Sequence, residues 1–226
     1  DMVSLESTTK RHYMYPHDPD YVEEMSHPDF DEHLDLAIHA GRATKEEVLK
    51  HVRGEISLKS IRDPFKTVNY SAIYGVGVPK LSREGGFSRS EASTLLSTYW
   101  ERNWSVKVIA KEQYVKTLKD GTMWLKNPVS GFYHSLRFEK DIFSTLNQST
   151  GVYCFDTFVA YCASSGVEIP MQYHDEILVE CDDDEQSIND TKERMRNAIT
   201  KTNEKVKLNV KLSIDFQTGH NYASVH

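Results

Sequence analysis

The sequence lacks the features of a membrane, secreted or wholly basic protein. It has no long apolar run, and its mean hydropathy of −0.57 argues against a membrane-spanning segment. Its three cysteines are an odd number with no pair at metal-ligand spacing, which favours reduced thiols inside a cell. No signal peptide is visible. Because the first residue is Asp1, we expect a fragment or a processed piece of a longer chain.

An excess of basic residues is also missing, since the net charge is −7. This charge argues against a wholly basic nucleic-acid binder. A local basic groove remains open, because acids cluster at 182–185 whereas 107–140 is mostly basic. With 226 residues, of which 38% are hydrophobic and 11% aromatic, the chain can form one large or two modest domains.

The stretch 171–181 contains three consecutive ionisable residues, His174, Asp175 and Glu176, between two apolar runs. Short β-branched or aromatic flanks predict a strand, a tight turn and a second strand. Two adjacent carboxylates repel each other unless a cation compensates them. The turn is therefore a candidate metal site, and the alternative is an ordinary solvated hairpin turn.

The stretch 60–77 places a cation or an aromatic residue at every fourth position, ending in Gly75 and Gly77. On a helix these residues form one stripe, and apolar residues lie off it. Cations at one end and flat rings at the other suit a polyanion and a base, respectively. The alternative is a solvated helix face with two half-buried tyrosines. The stripe consists of Arg62, Lys66, Tyr70 and Tyr74.

Other patterns predict the remaining elements. Capping boxes at Thr44–Glu47 and Ser88–Glu91 predict two helix starts. Further helices are predicted at 31–40, 139–164 and from 182 to about 204. A hairpin is predicted at 123–126 and 132–136, and strands at 1–6 and 206–216.

Three constellations in this order resemble the motifs of family A DNA polymerases (the polymerase I family), especially the replicative polymerases of phages. Asp1 followed by Glu6 is similar to the first motif. The stripe that ends in Tyr74-Gly75 resembles the second, and His174-Asp175-Glu176 resembles the third. Arg137, Gln148 and the closing Gly219-x-Asn221-Tyr222 also match family positions, so the likeness covers nearly the whole chain.

The resemblance implies two Mg²⁺ ions, with Mn²⁺ as a possible substitute, held by Asp1, Asp175 and the carbonyl of Met2. Glu176 is expected to act as a nearby modulator. Arg62 and Lys66 are expected to bind the incoming triphosphate with help from His33, and Lys66 is the candidate acid for the leaving pyrophosphate.

The resemblance also implies contacts with the sugar, the base and the DNA. Tyr70 is expected beside the sugar of the incoming nucleotide, and a Tyr at this position goes with acceptance of dideoxynucleotides. Glu6 is expected to exclude the ribose 2′-hydroxyl. The residues expected to contact primer-template DNA or the nascent base pair are Tyr74, Gly75, Arg137, Gln148 and His174.

The sequence departs from the family pattern at four positions, and none of them is a metal carboxylate: Val3, Thr8, Pro64 and Ser144. In the family, the thumb and any proofreading exonuclease lie upstream of the position of Asp1. The chain should therefore hold primer-template weakly by itself. We expect the upstream part to be a separate chain or an omitted segment.

The resemblance implies a mixed α+β fold, in which an antiparallel palm sheet carries an inserted helical fingers subdomain. The sheet would combine 1–6, the hairpin and 206–216. The expected subdomains are palm at 1–26, fingers at 27–143 and palm again at 144–226.

The implied function is templated addition of deoxynucleotides to a primer in DNA replication, in the cytoplasm of a phage-infected bacterium and away from membranes. One alternative is a phage-type single-subunit RNA polymerase, which generally has Ser after the His-Asp pair and lacks the Glu at position 6. The other is a non-catalytic DNA-binding or assembly subunit of a split polymerase.

Overall fold

The computed structural model describes residues 1–225, which form α-helices and short β-strands. The helices are α1 (Leu5–Met14), α2 (Pro19–Met25), α3 (Glu32–His39), α4 (Lys45–Val52), α5 (Lys59–Ile73), α6 (Val78–Gly85), α7 (Arg89–Arg102), α8 (Trp104–Glu112), α9 (Ile142–Ser164) and α10 (Glu185–Val206). The strands are β1 (Val115–Thr117), β2 (Met123–Lys126), β3 (Tyr133–Leu136), β4 (Glu168–Tyr173) and β5 (Glu176–Glu180). They form a sheet of order β1-β2-β3 and an antiparallel hairpin β4-β5. The predicted α+β class is confirmed.

The chain divides into two compact units. The first unit comprises Asp1–Tyr13, Lys126–His134 and the chain from Leu146 onward, and the second comprises Met14–Leu125 and Ser135–Thr145. The residue ranges of the two units follow from contacts within each unit and do not identify a palm or a fingers subdomain. The palm and fingers boundaries at 1–26, 27–143 and 144–226 therefore remain a prediction.

The core of the first unit lies between α9, α10 and the N-terminal residues. Asp184 begins α10 by accepting a hydrogen bond from the amide of Ser187. The buried residues of α10 recur at helical spacing, so one face of the helix packs inward. Each large apolar side chain buried in this way contributes about 1.5–3 kcal/mol. The core includes Met2, Leu5, Phe155, Phe158, Val167, Met195, Ile199 and Leu212, with buried Cys154 and Cys162.

The β4-β5 hairpin confirms the predicted strand, turn and strand. Tyr173 pairs with Glu176, so His174 and Asp175 form a two-residue turn. His174 has a φ of 53°, in the left-handed region that tight hairpin turns use. The second half of β4 is exposed, from Pro170 to Tyr173. The hairpin is therefore less buried on that strand than its apolar flanks predict.

Two predicted strands are wrong. Residues 1–6 contribute only Met2, which makes an isolated antiparallel bridge with Ile214, and helix α1 begins at Leu5. Residues 206–216 form no continuous strand, because α10 extends to Val206 and only the bridge to Met2 follows. The predicted neighbours nevertheless meet: the amide of Val3 donates to the carbonyl of Ser213 at 3.0 Å. The palm sheet expected from three strands is thus a two-stranded hairpin with short adjoining segments.

The second unit is built around α3, α5 and α7. Phe65, Val68, Ala72 and Ile73 of α5 are buried, whereas Lys66, Tyr70 and Tyr74 are exposed and Arg62 is partly exposed. The predicted division of this helix into two faces is therefore confirmed. Both predicted capping boxes are also present, at the starts of α4 and α7. The core includes Leu34, Leu36, Phe65, Val68, Leu81, Leu95 and Tyr99.

Among residues 1–225, no helix combines the length and the apolar character that a membrane crossing requires.

The half-buried His12 of the first unit predicts a loss of stability in mild acid. Its Nδ1 accepts a hydrogen bond from the amide of Asn209 at 3.0 Å, and burial lowers its pKa from 6.5 to about 4. Between these values the unfolded chain binds a proton that the folded chain does not. The contribution of His12 is therefore complete above pH 6.5 and is lost towards pH 4.

Urea unfolding at pH 7 and pH 4.5 measures this effect. We expect the free energy of unfolding to fall by more in the wild type than in His12→Asn, whose side chain can still accept from Asn209. Equal losses in the two proteins would contradict the role of His12.

Candidate active site

The hairpin turn of the first unit is bonded to the N-terminal segment, so the residues predicted as the first and third motifs lie side by side. The amide of Met2 donates to the carbonyl of Asp175 at 2.9 Å. Asp1 therefore lies next in the chain to a residue bonded directly to the backbone of Asp175. Asp1 is exposed, and both Asp175 and Glu176 are partly exposed. A main-chain hydrogen bond thus brings the backbone at Asp1 close to that at Asp175, although the two residues are distant in the sequence.

The conformation of His174 is a further feature of this turn. A left-handed φ at a residue other than glycine is uncommon and costs on the order of 1–3 kcal/mol. Such strain persists where the surrounding structure fixes the backbone, and it clusters at functional sites. The turn is therefore held in one geometry by its strand pairing on either side.

Donors for a metal ion are few at this turn. Among residues 1–225, no three His, Cys, Asp or Glu side chains cluster closely enough to hold an ion together. A pair of carboxylates with a backbone carbonyl is a smaller set than a dedicated protein cage. It does match the way Mg²⁺ is bound at phosphate-transfer sites, where one or two carboxylates and substrate phosphates share the ion.

Helices α1 and α9 carry two other predicted residues of the first unit. Glu6 lies in the first turn of α1, and its carbonyl accepts a hydrogen bond from Asn147 Nδ2 at 3.0 Å. Gln148, the next residue on α9, is exposed. Asn147 is buried and joins the two helices, so it fixes the backbone at Glu6 relative to that at Gln148.

In the second unit, Asp31 joins two predicted triphosphate-binding residues. It begins α3 by accepting hydrogen bonds from the amides of His33 and Leu34, and its other oxygen accepts from Arg62 Nε. Burial favours the neutral acid, but the hydrogen bonds from Arg62 and Leu34 and the Arg62 charge outweigh it. The pKa of Asp31 is consequently lowered.

His33 is almost completely buried, with 4% of its surface exposed. Its ring lies 5.6 Å from the ring of Tyr70, and Lys66 Nζ lies 5.9 Å from that same ring. Burial lowers the pKa of His33, and the charges of Arg62 and Lys66 lower it further against the opposing charges of Glu32 and Asp31. Arg62, Lys66, Tyr70 and His33 therefore form one connected group.

A cleft of about 440 Å³ lies at the C-terminal end of α5. Gly75 has a φ of 69°, which L side chains rarely adopt, so glycine suits this position. A Cβ added to Gly75 would lie 3.5 Å from Lys140 Cδ, so the aliphatic part of Lys140 covers it. The cleft is lined by Tyr70, Ser71, Tyr74, Gly75, Val76, Gly77, Lys80 and Lys140.

The predicted site residues thus fall into two groups, one in each unit. The first unit holds Asp1, Met2, Glu6, Gln148, His174, Asp175 and Glu176, and the second holds His33, Arg62, Lys66, Tyr70, Tyr74, Gly75 and Arg137. Arg137 is exposed and follows β3.

Comparison with known proteins gives two informative similarities. No protein-family model matches the chain. DNA polymerase I from Helicobacter pylori is 32% identical over 102 residues, which are 44% of this chain and 11% of that protein. The POL domain of Pol1 from M. smegmatis, in complex with DNA primer-template and dNTP, matches with a TM-score of 0.66 and 18% identity. The resemblance to family A polymerases is confirmed.

The family A likeness concerns a portion of each relative. The structural match covers 94% of this chain and 37% of the M. smegmatis chain, and it shows the shared fold. The chain spans 11% of the length of the H. pylori polymerase. Because only part of each relative is matched, the activity of the whole enzyme is assigned to this chain only as a proposal.

Sequence reasoning missed Asn69, which contacts His33, one of the predicted triphosphate-binding residues. Its side chain is buried on the inward face of α5, and its Nδ2 lies 3.1 Å from His33 Nδ1. An amide on the otherwise apolar face of a helix is the signal that could have revealed it, because buried polar groups require partners.

Proposed function

We propose that this chain is the catalytic portion of a DNA-templated DNA polymerase that adds deoxynucleotides to a primer 3′ end in DNA replication. The observation that carries the proposal is the hydrogen bond between Met2 and Asp175, which brings the first and third motifs to one place. A likeness to polymerases in both sequence and fold supports it.

We assign two Mg²⁺ ions, or Mn²⁺ in their place, to the carboxylates of Asp1 and Asp175 with the carbonyl of Met2. The small donor set of the turn fits such ions, since nucleotide phosphates supply further oxygens. Bound there, the ions would stabilise the attacking and leaving oxygens of an in-line phosphoryl transfer. Glu176 modulates the charge beside them.

The residues of the second unit would bind the nucleotide. Arg62 and Lys66 supply two positive charges to the triphosphate, and His33 supplies a hydrogen-bond donor. Lys66 gives a proton to the leaving pyrophosphate oxygen. Arg62 donates to Asp31 through Nε, so the triphosphate would share this guanidinium with the Asp31 carboxylate.

Tyr70 takes the position beside the nucleotide sugar, and Glu6 excludes a ribose 2′-hydroxyl. DNA contacts are assigned to Tyr74, Gly75, Arg137, Gln148 and His174. The proposal includes a phage origin, action in the cytoplasm of the infected bacterium, and an upstream thumb and exonuclease part that improves binding of primer-template.

Primer extension with Mg²⁺ tests the function, with the chain alone and with the upstream part supplied. Templated addition of deoxynucleotides that requires Mg²⁺ supports it. No extension in either case would favour the non-catalytic assembly subunit. Ribonucleotides incorporated as readily as deoxynucleotides would favour an RNA polymerase.

Dideoxynucleotides should terminate extension efficiently. Tyr70 is an exposed residue, and its hydroxyl, placed beside the sugar, would replace a hydrogen bond that the missing 3′-hydroxyl otherwise makes. Tyr70→Phe should raise the dideoxynucleotide concentration needed for termination by about tenfold or more, the effect of one good hydrogen bond. Sequencing-gel termination assays measure the change.

The control for this prediction is Tyr74→Phe, which removes a hydroxyl one helical turn away and should leave the termination ratio unchanged. Extension by the wild type that resists dideoxynucleotides would contradict the role given to Tyr70.

A further inference from the structure

Asn69 lies buried where α5 packs against α3. Its side-chain nitrogen Nδ2 is 3.1 Å from the carbonyl oxygen of Glu32 and 3.1 Å from Nδ1 of His33. Both Asn69 and His33 are buried, with exposed fractions of 8% and 4%. One amide group therefore contacts the backbone and the imidazole of α3 at the same time.

The carbonyl of Glu32 fixes the orientation of this amide. A backbone carbonyl only accepts hydrogen bonds, so the Asn69 nitrogen and not its oxygen must face it. Turning the amide over would place two oxygens against each other in a buried site. An amide nitrogen only donates, so His33 Nδ1 must accept and carries no proton. The ring proton is then on Nε2.

The charged groups around His33 act in opposite directions. Asp31 and Glu32 on the α3 side favour an imidazolium, whereas Arg62 and Lys66 on α5 disfavour it, and the Tyr70 ring adjoins the imidazole. Burial disfavours the cation as well and is the largest cause of the lowered pKa of His33. The electrostatic surroundings thus agree with the hydrogen-bond geometry.

We infer that Asn69 is a positioning residue that holds His33 as the neutral tautomer with its proton on Nε2, so that this group donates to a nucleotide triphosphate. This inference rests on the proposed function. Lys66 and Tyr70 flank Asn69 on α5 and belong to the exposed face, while Asn69 faces α3. Because burial lowers the pKa of His33 below its ordinary value, the imidazole is a neutral hydrogen-bond donor at pH 7.

The tautomer can be measured without nucleotide or activity. The chain labelled with ¹⁵N-histidine is studied by long-range ¹H–¹⁵N correlation from pH 6 to 8, and His33 is assigned by its loss in His33→Phe. We expect the Nε2–H tautomer throughout the range. A proton on Nδ1, or an imidazolium in that range, would overturn the inference.

Substitutions at Asn69 test the consequence for the nucleotide. Asn69→Asp replaces the donor by an acceptor, so it should favour a proton on His33 Nδ1, which the same spectra detect. Asn69→Leu should raise KM for the deoxynucleotide about tenfold with little change in kcat, as for one lost hydrogen bond to a charged group. When His33 has already been replaced by Phe, Asn69→Leu should cause almost no further rise in KM for the deoxynucleotide.

Asn103→Leu is the matched control, because Asn103 is a buried asparagine of the same unit that donates to a backbone carbonyl. It should leave KM unchanged. An equal rise in KM for both variants, or additive effects of Asn69→Leu and His33→Phe, would overturn the positioning role. If the wild type neither binds nor extends with deoxynucleotides, the proposed function fails, and the spectra still decide the state of His33.

Discussion

Replacing Asp175 by Ala is expected to lower nucleotide addition by at least about a thousandfold, because loss of a metal carboxylate removes several kcal/mol of transition-state stabilisation. The fold should survive, since Met2 is bonded to the Asp175 carbonyl and not to its side chain. Rates of single-nucleotide addition to a primer measure the effect, and circular dichroism checks the fold.

Glu180→Gln is the control for this change. It removes one negative charge from the same hairpin, at the far end of β5, where Glu180 pairs with Glu168. We expect a rate close to that of the wild type. If Asp175→Ala retained wild-type addition, or if Glu180→Gln lost as much, the hairpin turn would not be the catalytic centre.

Local sequence patterns were sufficient for most of the helices and for the hairpin turn. Capping boxes fix helix starts through contacts three residues apart, and for that reason those at Thr44 and Ser88 were predicted correctly. The two faces of α5 follow from helical spacing alone. The tight turn at His174 and Asp175 likewise depends on a few neighbouring residues.

Strand pairing could not be predicted in the same way, because it depends on distant partners. Residues 206–216 alternate between apolar and polar, yet only the segment around Ile214 finds a partner, at Met2. The strand expected at 1–6 ends early because Ser4, with a φ of 47°, turns the chain into α1. Alternation therefore predicted which side chains face the core, such as Leu212, but not a ladder of hydrogen bonds.

Local sequence patterns also could not predict the polar contacts around the candidate site. Asn69 and His33 are 36 residues apart, and Arg102 and Asp35 are 67 apart. The resemblance to family A identified His33 but gave no indication that it is buried or that Asn69 bonds to it. Such contacts arise only when α3, α5 and α7 pack together.

Arg102 illustrates how this packing is held. Its Nε donates to Asp35 Oδ2 at 3.0 Å, a terminal nitrogen donates to Glu24, and the guanidinium lies 3.9 Å from the centre of the Tyr21 ring. The side chains of Arg102 and Asp35 are 22% and 10% exposed. Burial opposes the charge of Arg102, but the bonds to Asp35 and Glu24 outweigh it and raise its pKa. The cluster joins α7 to α2 and to α3, the helix that carries His33.

Arg102→Met is expected to lower the free energy of unfolding by about 3 kcal/mol, because it leaves the buried Asp35 carboxylate without its cation. Replacing both residues, in the double variant Arg102→Met with Asp35→Leu, should restore much of the lost stability, because both charges of the pair are then removed together. Urea unfolding measures both variants.

Arg42→Met is the control. The side chains of Arg42 and Glu91 are 56% and 44% exposed, and ion pairs with such exposure contribute less than about 1 kcal/mol. Equal losses for the two single arginine variants, or a double variant no more stable than Arg102→Met, would show that the cluster does not fix α3 electrostatically.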